Sequence, residues 1–197
     1  MTEQETNIHF GFLIKRLSQL LFHPSDAWTT IRDQESAETV QTHFLFPSLG
    51  LMVLAVFLSN VWLGTGWTNA IRCSTAYAMS LFLTYWGGAY LVDWVWKKRT
   101  NGPSALNMWR QVIGYSLLVP MLTKLVSILS SMNDLLAILQ LVVVLGNLYI
   151  FYILWEALIV LVGLKEDHLF IVMSILGIFC LGCPMALERI FLLLLNV

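Results

Sequence analysis

Ionisable side chains inside long apolar segments are the residues of this sequence that could carry chemistry. Glu156 stands alone in one apolar run, while Asp93 and Arg110 fall near the ends of two neighbouring runs. If these runs cross a membrane, each charge needs a partner or a purpose, because a charge in hydrocarbon is costly. Their depths along the runs predict a cluster in which Arg110 pairs with Glu156 and also serves Asp93.

Two interpretations of this cluster stay open. It is either a set of structural ion pairs that fix helix packing, or a polar cavity open to the cytoplasm. In such a cavity Glu156 would bind a cation, a proton or a lipid headgroup. The hydroxyls of Tyr115, Tyr149 and Tyr152 would then line the cavity.

A second layer of charge is expected farther along the same runs. Lys124 lies about 21 Å of helix beyond Arg110. That height is comparable to the height of Glu188 and Arg189, so the charges separate into an inner and an outer layer.

Cysteine and histidine do not indicate a metal or catalytic centre. Cys180 and Cys183 have the spacing of a redox or metal pair, but a thiolate in hydrocarbon is unfavourable and no other ligand stands nearby. We therefore interpret these cysteines as small apolar residues at a contact between helices. The histidines, which lack ligand spacing, are His9, His23, His43 and His168. No nucleophile and base are paired, so we expect no enzyme activity, no cofactor and no metal.

Five long apolar runs must position these residues. Hydrophobic residues make up 58% of the 197 and charged residues only 12%, whereas soluble domains have about 25% charged residues. Each run reaches the roughly 20 residues that a helix needs to cross a hydrocarbon core of about 30 Å. The runs are 44–63, 71–96, 109–131, 135–163 and 169–195.

A soluble all-helical protein is the alternative, and the run 135–163 argues against it. The run presents no polar face at a period of 3.6 residues, which a water-facing helix would require. We therefore predict an all-α, polytopic membrane bundle of five transmembrane helices over residues 44–197. Cytoplasmic and interfacial helices precede it in residues 1–43.

The distribution of Lys and Arg predicts the orientation of the bundle. Basic residues precede the first run and flank the second and fourth connections, whereas the connections near 64–70 and 132–134 contain none. This asymmetry places the N-terminus in the cytoplasm and, after five crossings, the C-terminus outside. In a bacterium the protein would lie in the cytoplasmic membrane.

The segment 8–22 has the pattern of an amphipathic helix. It is too short and too polar to span, so it lies either in the cytoplasmic interface or against the cytoplasmic end of the bundle. Both alternatives stay open. The candidate contacts to lipid headgroups are Lys15, Arg16, Lys97, Lys98 and Arg99, although the last three also fit plain positive-inside topology.

Prolines and small residues predict where helices begin, bend and touch. Pro24 ends the first helix, with Ser25 or Asp26 as the N-cap of the next one. Pro120 and Pro184 should kink their spans. The further expectations are a cap at Ser104 and a close helix contact at Gly182 and Ala186.

Two short motifs resemble those of a known family. The segment Gly114-Tyr115-Ser116-Leu117, followed by Pro120, is similar to the Gly-Tyr-Ser-Leu-x-x-Pro segment of the third span in the Yip family of Rab-interacting membrane proteins. Pro24, Ala27, Trp28 and Ile31 resemble the Pro-x-x-Ala-Trp-x-x-Ile lead-in of its bacterial members. The resemblance implies five spans and a cytoplasmic N-terminus. The Asp-Leu-Tyr-Gly-Pro motif of the eukaryotic members is missing, so the bacterial branch is the closer resemblance.

The resemblance and the residues together lead to two function hypotheses. The first is a non-enzymatic integral membrane scaffold that recruits a protein partner or organises membrane lipids at the cytoplasmic face. The alternative is a small transporter or lipid-handling protein that uses Glu156. The net charge of −1 creates no field that would attract nucleic acid.

Overall fold

The computed structural model describes residues 10–100, 103–132, 138–164 and 166–196, and within these ranges the protein is helical without strands. The expectations for His9 and Lys165, and for the side chain of His168, lie outside the described residues. The helices are α1 (Phe10–Phe22), α2 (Pro24–Gln34), α3 (Ala37–Thr39), α4 (Phe46–Trp62), α5 (Trp67–Thr100), α6 (Leu106–Ser116), α7 (Leu118–Met132), α8 (Leu139–Ala157) and α9 (Glu166–Leu194), with π-helical segments at Val40–Leu45 and Leu158–Val162.

Four helical stretches are long and apolar enough to cross a membrane, judged by length and composition. They are Ala37–Trp62, Leu106–Ser131, Leu139–Val162 and Leu169–Leu194. They correspond to four of the five predicted runs. The all-α, multi-pass part of the prediction is therefore confirmed.

The remaining run, 71–96, lies in α5, a helix of 34 residues that is less apolar than the others. One face of α5 packs against α4, α6 and α9, and this face contains buried polar side chains that contribute to the difference. Ser80 and Thr84 are buried, and their hydroxyls donate to the carbonyls of Tyr77 and Ser80 within the helix. Hydroxyls satisfied in this way lower the hydropathy of a helix without exposing an unpaired polar group.

The first apolar helix begins earlier than the predicted boundary at residue 44. The hydroxyl of Ser36 accepts a hydrogen bond from the backbone N–H of Thr39 at 3.1 Å, and the helix continues from Ala37 to Trp62. A Ser side chain satisfies one of the free N–H groups of a helix start. The π-helical segment Val40–Leu45 then precedes Pro47, which cannot donate a backbone hydrogen bond.

Two of the predicted caps are wrong. α2 begins at Pro24 itself, with His23 in the N-cap position, rather than at Ser25 or Asp26. Pro is well suited to the first helical position because no partner exists there for an N–H. The hydroxyl of Ser104 does not cap α6 but donates to a carboxylate oxygen of Asp93 at 2.9 Å.

The interior prolines have different effects. The helix that contains Pro120 is divided into α6 and α7 at Leu117, close to the carbonyl that the proline leaves without a donor. This break lies one turn before the proline, in the region where the kink was predicted. α9 runs through Pro184 and remains helical on both sides of it.

Small residues create close helix contacts, but not where they were predicted. Gly182 and Ala186 are both exposed, so the expected contact is absent. Instead, a Cβ on Gly177 would lie 2.4 Å from the ring of Phe151, and a Cβ on Gly88 would lie 2.5 Å from the ring of Phe179. These glycines let aromatic rings from neighbouring helices approach the backbone directly.

Candidate functional site

The carboxylate of Glu35 connects three helical elements at the end of the bundle that carries the N-terminal helices. Glu35 follows the last residue of α2, where its backbone N–H donates to the carbonyl of Ile31. One carboxylate oxygen forms an ion pair with Arg16 of α1, and the other accepts a hydrogen bond from the hydroxyl of Tyr115 of α6. The side chains of Arg16 and Glu35 are 7% and 4% exposed, so this ion pair is buried.

The backbone of Glu35 is attached to the bundle as well. Its carbonyl accepts a hydrogen bond from the side-chain amide of Gln111, one turn before Tyr115 on α6, at 2.7 Å. Arg16 also donates to the side-chain oxygen of Gln19 at 2.8 Å. The N-terminal helices, which we call the N-terminal cap (α1 and α2 with Glu35), are therefore bonded to the bundle at both the side chain and the backbone of one residue.

Two further hydrogen bonds fix the N-terminal cap to α8. The indole N–H of Trp28 donates to the carbonyl of Ile153 at 3.0 Å, and both groups are buried. The hydroxyl of Tyr149 donates to the carbonyl of Leu21 at 2.7 Å. A buried indole needs such a partner, because an unpaired donor in the interior is costly.

The residues of the two family-like motifs meet at this site. Pro24, Ala27, Trp28 and Ile31 recur at helical spacing, and all four are buried. The rings of Trp28 and Tyr115 pack edge to face with centroids 5.8 Å apart. The motif of Pro24, Ala27, Trp28 and Ile31 therefore forms the buried face of α2. The motif that contains Tyr115 forms part of the surface against which α2 packs.

Gly114 allows the helices to approach each other beside Tyr115. A Cβ at this position would lie 2.9 Å from Cγ1 of Val40 and 3.2 Å from the ring of Tyr85. A glycine before the tyrosine is therefore required by packing at this point of α6.

The electrostatics of the site favour attachment over catalysis. Burial lowers the pKa of the Arg16 guanidinium, but arginine remains charged at neutral pH because its ordinary pKa lies far above 7. Each oxygen of the Glu35 carboxylate already has a donor. A carboxylate with both oxygens occupied is a structural link and a poor general base.

The predicted pair of Glu156 and Arg110 is wrong. Arg110 lies over the ring of Trp86, 4.4 Å from its centroid, and donates to the hydroxyl of Tyr90 at 3.3 Å. Glu156 is partly buried on α8, and none of the ion pairs among the described residues includes it. The aromatic rings of α5 hold the guanidinium by a cation–π contact in place of the expected carboxylate.

Asp93 is separate from both of these residues. Its carboxylate pairs with Lys97 at 2.9 Å and accepts the backbone N–H of Ala105 at 2.7 Å. The ordinary role of such an acid is to anchor the start of the next helix, here α6. Asp93, Arg110 and Glu156 therefore do not form the predicted inner charge cluster.

The tyrosines expected around Glu156 do not surround a common cavity. Tyr115 is fully buried at the Glu35 link, whereas Tyr152 is 47% exposed. The hydroxyl of Tyr149 is used in the attachment of α1. These side chains belong to the attachment of the N-terminal cap and to the outer surface of α8.

The expected headgroup contacts divide into two groups. Lys15, Lys97, Lys98 and Arg99 are exposed. Arg16 is only 6% exposed and is bound to Glu35, so its charge is used within the protein. Its position follows from the orientation of α1, whose buried face contains Arg16 as well as Leu13 and Leu20.

The outer layer of charge is assembled as its depth predicted. The ammonium of Lys124 lies 2.7 Å from a carboxylate oxygen of Glu188, which joins α7 to α9. Within the described ranges, no group of three or more His, Cys, Asp or Glu side chains is placed to hold a metal ion.

These features define an integral, multi-pass, all-helical membrane protein with a docked N-terminal cap. Residues 18–187 match the Yip1 domain, so the chain belongs to the Yip family. This result confirms the predicted resemblance to the Yip family. Neither a search of curated proteins nor a search of solved structures found a significant match.

Proposed function

We propose that the protein is a non-enzymatic membrane scaffold that recruits partners or organises lipid at the cytoplasmic face. The observation that carries the proposal is the attachment of α1 and α2 to the bundle through Glu35. Because side chain and backbone are both bonded, the outer surface of the N-terminal cap keeps one position relative to the bundle. A surface that is ordered before binding loses less entropy when a partner docks.

The exposed charges on this end of the molecule suit two kinds of contact. The outer surface of the N-terminal cap carries both signs, including Lys15, Arg32 and Asp33, which favours a protein partner with a complementary pattern. At the end of α5, Lys97 is paired with Asp93, while Lys98 and Arg99 are exposed and favour anionic lipid. The scaffold would thus hold a partner beside the membrane surface.

The proposal includes five spans with the N-terminal cap in the cytoplasm. α5 has 34 residues, which corresponds to about 51 Å of helix, more than a bilayer core requires. Its buried hydroxyls explain why it is less apolar than its neighbours. The Lys and Arg residues near the N-terminal cap and the end of α5 support the cytoplasmic assignment of that end.

A photo-crosslinking experiment tests the scaffold function. A photoreactive amino acid is placed at Gln34, which is exposed beside Glu35, and matched against Asn69, which is exposed near the start of α5. After irradiation of native membranes, we expect discrete protein adducts or enriched anionic lipid adducts at Gln34 but not at Asn69. In a Glu35→Gln background the Gln34 adducts should fall by about tenfold, because the docked surface is lost.

Two outcomes would contradict this function. Identical adducts at the two positions would mean that the surface of the N-terminal cap selects nothing. Solute flux in reconstituted vesicles that Glu156→Gln abolishes would instead support the transporter hypothesis.

A further inference from the structure

A half-enclosed cavity of about 520 Å³ lies in the half of the bundle away from the N-terminal cap. Residues of α4, α5, α7, α8 and α9 line it. This volume is within the range of small-molecule sites, which are about 300–1,000 Å³. Pro120 and Pro184 both face the cavity, so the helix distortions that prolines create lie where the bundle is open.

The ion pair of Lys124 and Glu188 belongs to the wall of this cavity. The ammonium of Lys124 uses one of its donors on Glu188 and lies 5.4 Å from the ring centroid of Tyr77. A lysine ammonium has three donors, so donors remain for another acceptor. Lys124 and Glu188 are 33% and 18% exposed, which leaves the pair accessible from the cavity.

Tyr77 provides a second observation that points to a ligand. The residue is only 3% exposed and lines the cavity, and its hydroxyl has no hydrogen-bond partner among the described residues. Leaving a buried hydroxyl unpaired costs about 1–3 kcal/mol, so a ligand atom that accepts its hydrogen bond would bind favourably at this position.

The charged residues that line the cavity favour a ligand with a negative charge. Lys124 and Arg189 are positive and Glu188 is negative, so the lining has an excess of one positive charge. Asn60 and Asn147 add neutral donors. Lys124 is seven residues, or about 10 Å of helix, from Ser131, where the apolar stretch ends. From that depth a lysine side chain can extend its ammonium towards the headgroup region.

We propose that this cavity binds the phosphate group of an amphiphile, with its acyl chain along the apolar wall. Lys124, Arg189 and the hydroxyl of Tyr77 donate to the phosphate oxygens, and Glu188 orients the ammonium. Leu181 and Leu192 provide the apolar surface on the same side as Glu188. The site goes beyond the scaffold function, because it lies at the opposite end of the bundle.

Binding is measured on the delipidated full-length protein by native mass spectrometry. The probes are phosphatidylglycerol, diacylglycerol and soluble glycerol 3-phosphate. We expect one phosphatidylglycerol to be retained much more strongly than diacylglycerol. Retention of glycerol 3-phosphate at equal strength would assign the same site to soluble phosphate compounds. Equal retention of diacylglycerol would overturn the proposal.

Variants distinguish a binding role from a structural one. Tyr77→Phe removes a hydroxyl that bonds to no described residue, so it should weaken binding several-fold without lowering the melting temperature of the delipidated protein. The double change Lys124→Met with Glu188→Met removes both charges without leaving one unpaired, and should weaken binding by about tenfold or more. Arg32→Gln, which removes an exposed cation of the N-terminal cap at the other end of the bundle, is the matched control. Unchanged binding in the first two variants would contradict the site.

A measurement on the wild-type protein does not depend on any variant folding. Cys73 lines the cavity, whereas Cys183, which is similarly half-buried, does not. Phosphatidylglycerol should slow maleimide modification of Cys73 and leave the rate at Cys183 unchanged, as peptide mapping would show. Equal rates with and without the lipid would overturn the proposal.

Discussion

Glu35 bonds to three different side chains, two through its carboxylate and one through its backbone carbonyl, and these partners belong to two distant helices, α1 and α6. Arg16 is 19 residues before it, while Gln111 and Tyr115 are 76 and 80 residues after it. Removing one partner of such a buried pair is strongly destabilising, because the other partner is left as an uncompensated buried charge.

Replacing Glu35 with Gln should therefore loosen the N-terminal cap. We expect a loss of about 3 kcal/mol of unfolding free energy, since Arg16 is left as an unpaired buried charge. Tyr115→Phe removes only one hydrogen bond and should cost about 1 kcal/mol. Amide hydrogen exchange in α1 and α2 is the measurement, because these helices should exchange faster before the bundle does.

The exposed pair of Arg32 and Asp33 provides the control. Arg32→Gln should not change exchange measurably, because both side chains are more than half exposed. The double change Arg16→Met with Glu35→Leu should cost less than the sum of the single changes. Strict additivity would mean that the two residues act independently, which contradicts the link.

Two glycines on neighbouring helices allow a matched test of packing. Gly114→Ala places a methyl group 2.9 Å from Val40, so it should destabilise the protein by about 1–3 kcal/mol. Gly87→Ala meets nothing within 4 Å and should stabilise α5 by about 0.5–1 kcal/mol through helix propensity. Melting temperatures in detergent should move in opposite directions. A shift of the same sign and size for both would contradict the contact at Gly114.

The sequence motifs include Trp28 and Tyr115, but they do not include Glu35, whose carboxylate bonds the end of α2 to Tyr115. Glu35 lies in a polar segment without periodicity, and nothing local indicates that its carboxylate is buried. For the same reason the sequence predicts a headgroup contact for Arg16, whereas its guanidinium is buried against Glu35. A long-range pair is determined by how helices dock, which a pattern along one helix does not contain.

At the scale of elements, α5 shows that one helix can have a polar buried face and an apolar exposed face. It carries the buried hydroxyls of Ser80 and Thr84 and exposed apolar side chains such as Phe82 and Leu83, whereas Leu139–Val162 has a mean hydropathy of 1.9. The apolar runs were predictable because hydropathy measures the surface that faces lipid. Helix starts were less predictable, because π-helical segments and a carboxylate from another helix set them.

Cysteine accessibility tests whether α5 crosses the membrane. In a background in which Cys73, Cys180 and Cys183 are replaced by Ala, a cysteine is placed at Thr65 or at Ser104. An impermeant maleimide added to intact cells should label position 65 and not position 104, because α5 separates the two sites. Labelling of both positions from outside would contradict the span and the orientation together. Permeabilised cells, in which both should react, are the control.

For the whole molecule, the bonds between the N-terminal cap and the bundle predict that the two unfold together. Deleting residues 1–35 would remove the fully buried side chain of Trp28 and the hydrogen-bond acceptors of Gln111 and Tyr115. We expect the truncated bundle to melt at a lower temperature and to be digested faster, because it exposes an apolar surface with unpaired donors.

Deleting only residues 1–9 is the matched control, because those residues precede α1. It should leave the melting temperature unchanged. An equally stable bundle after removal of residues 1–35 would show that the N-terminal cap is a detachable tail.

The long separation between bonded residues has a consequence for synthesis in the cell. Tyr149 is 128 residues after Leu21, and Trp28 is 125 residues before Ile153. At about 5–20 residues per second, a ribosome needs roughly 6–25 s to produce the partners of helices it has already released. During that interval α1 and α2 have no bundle to bind, so we expect the amphipathic segment to rest on the membrane surface first and to transfer to the protein later.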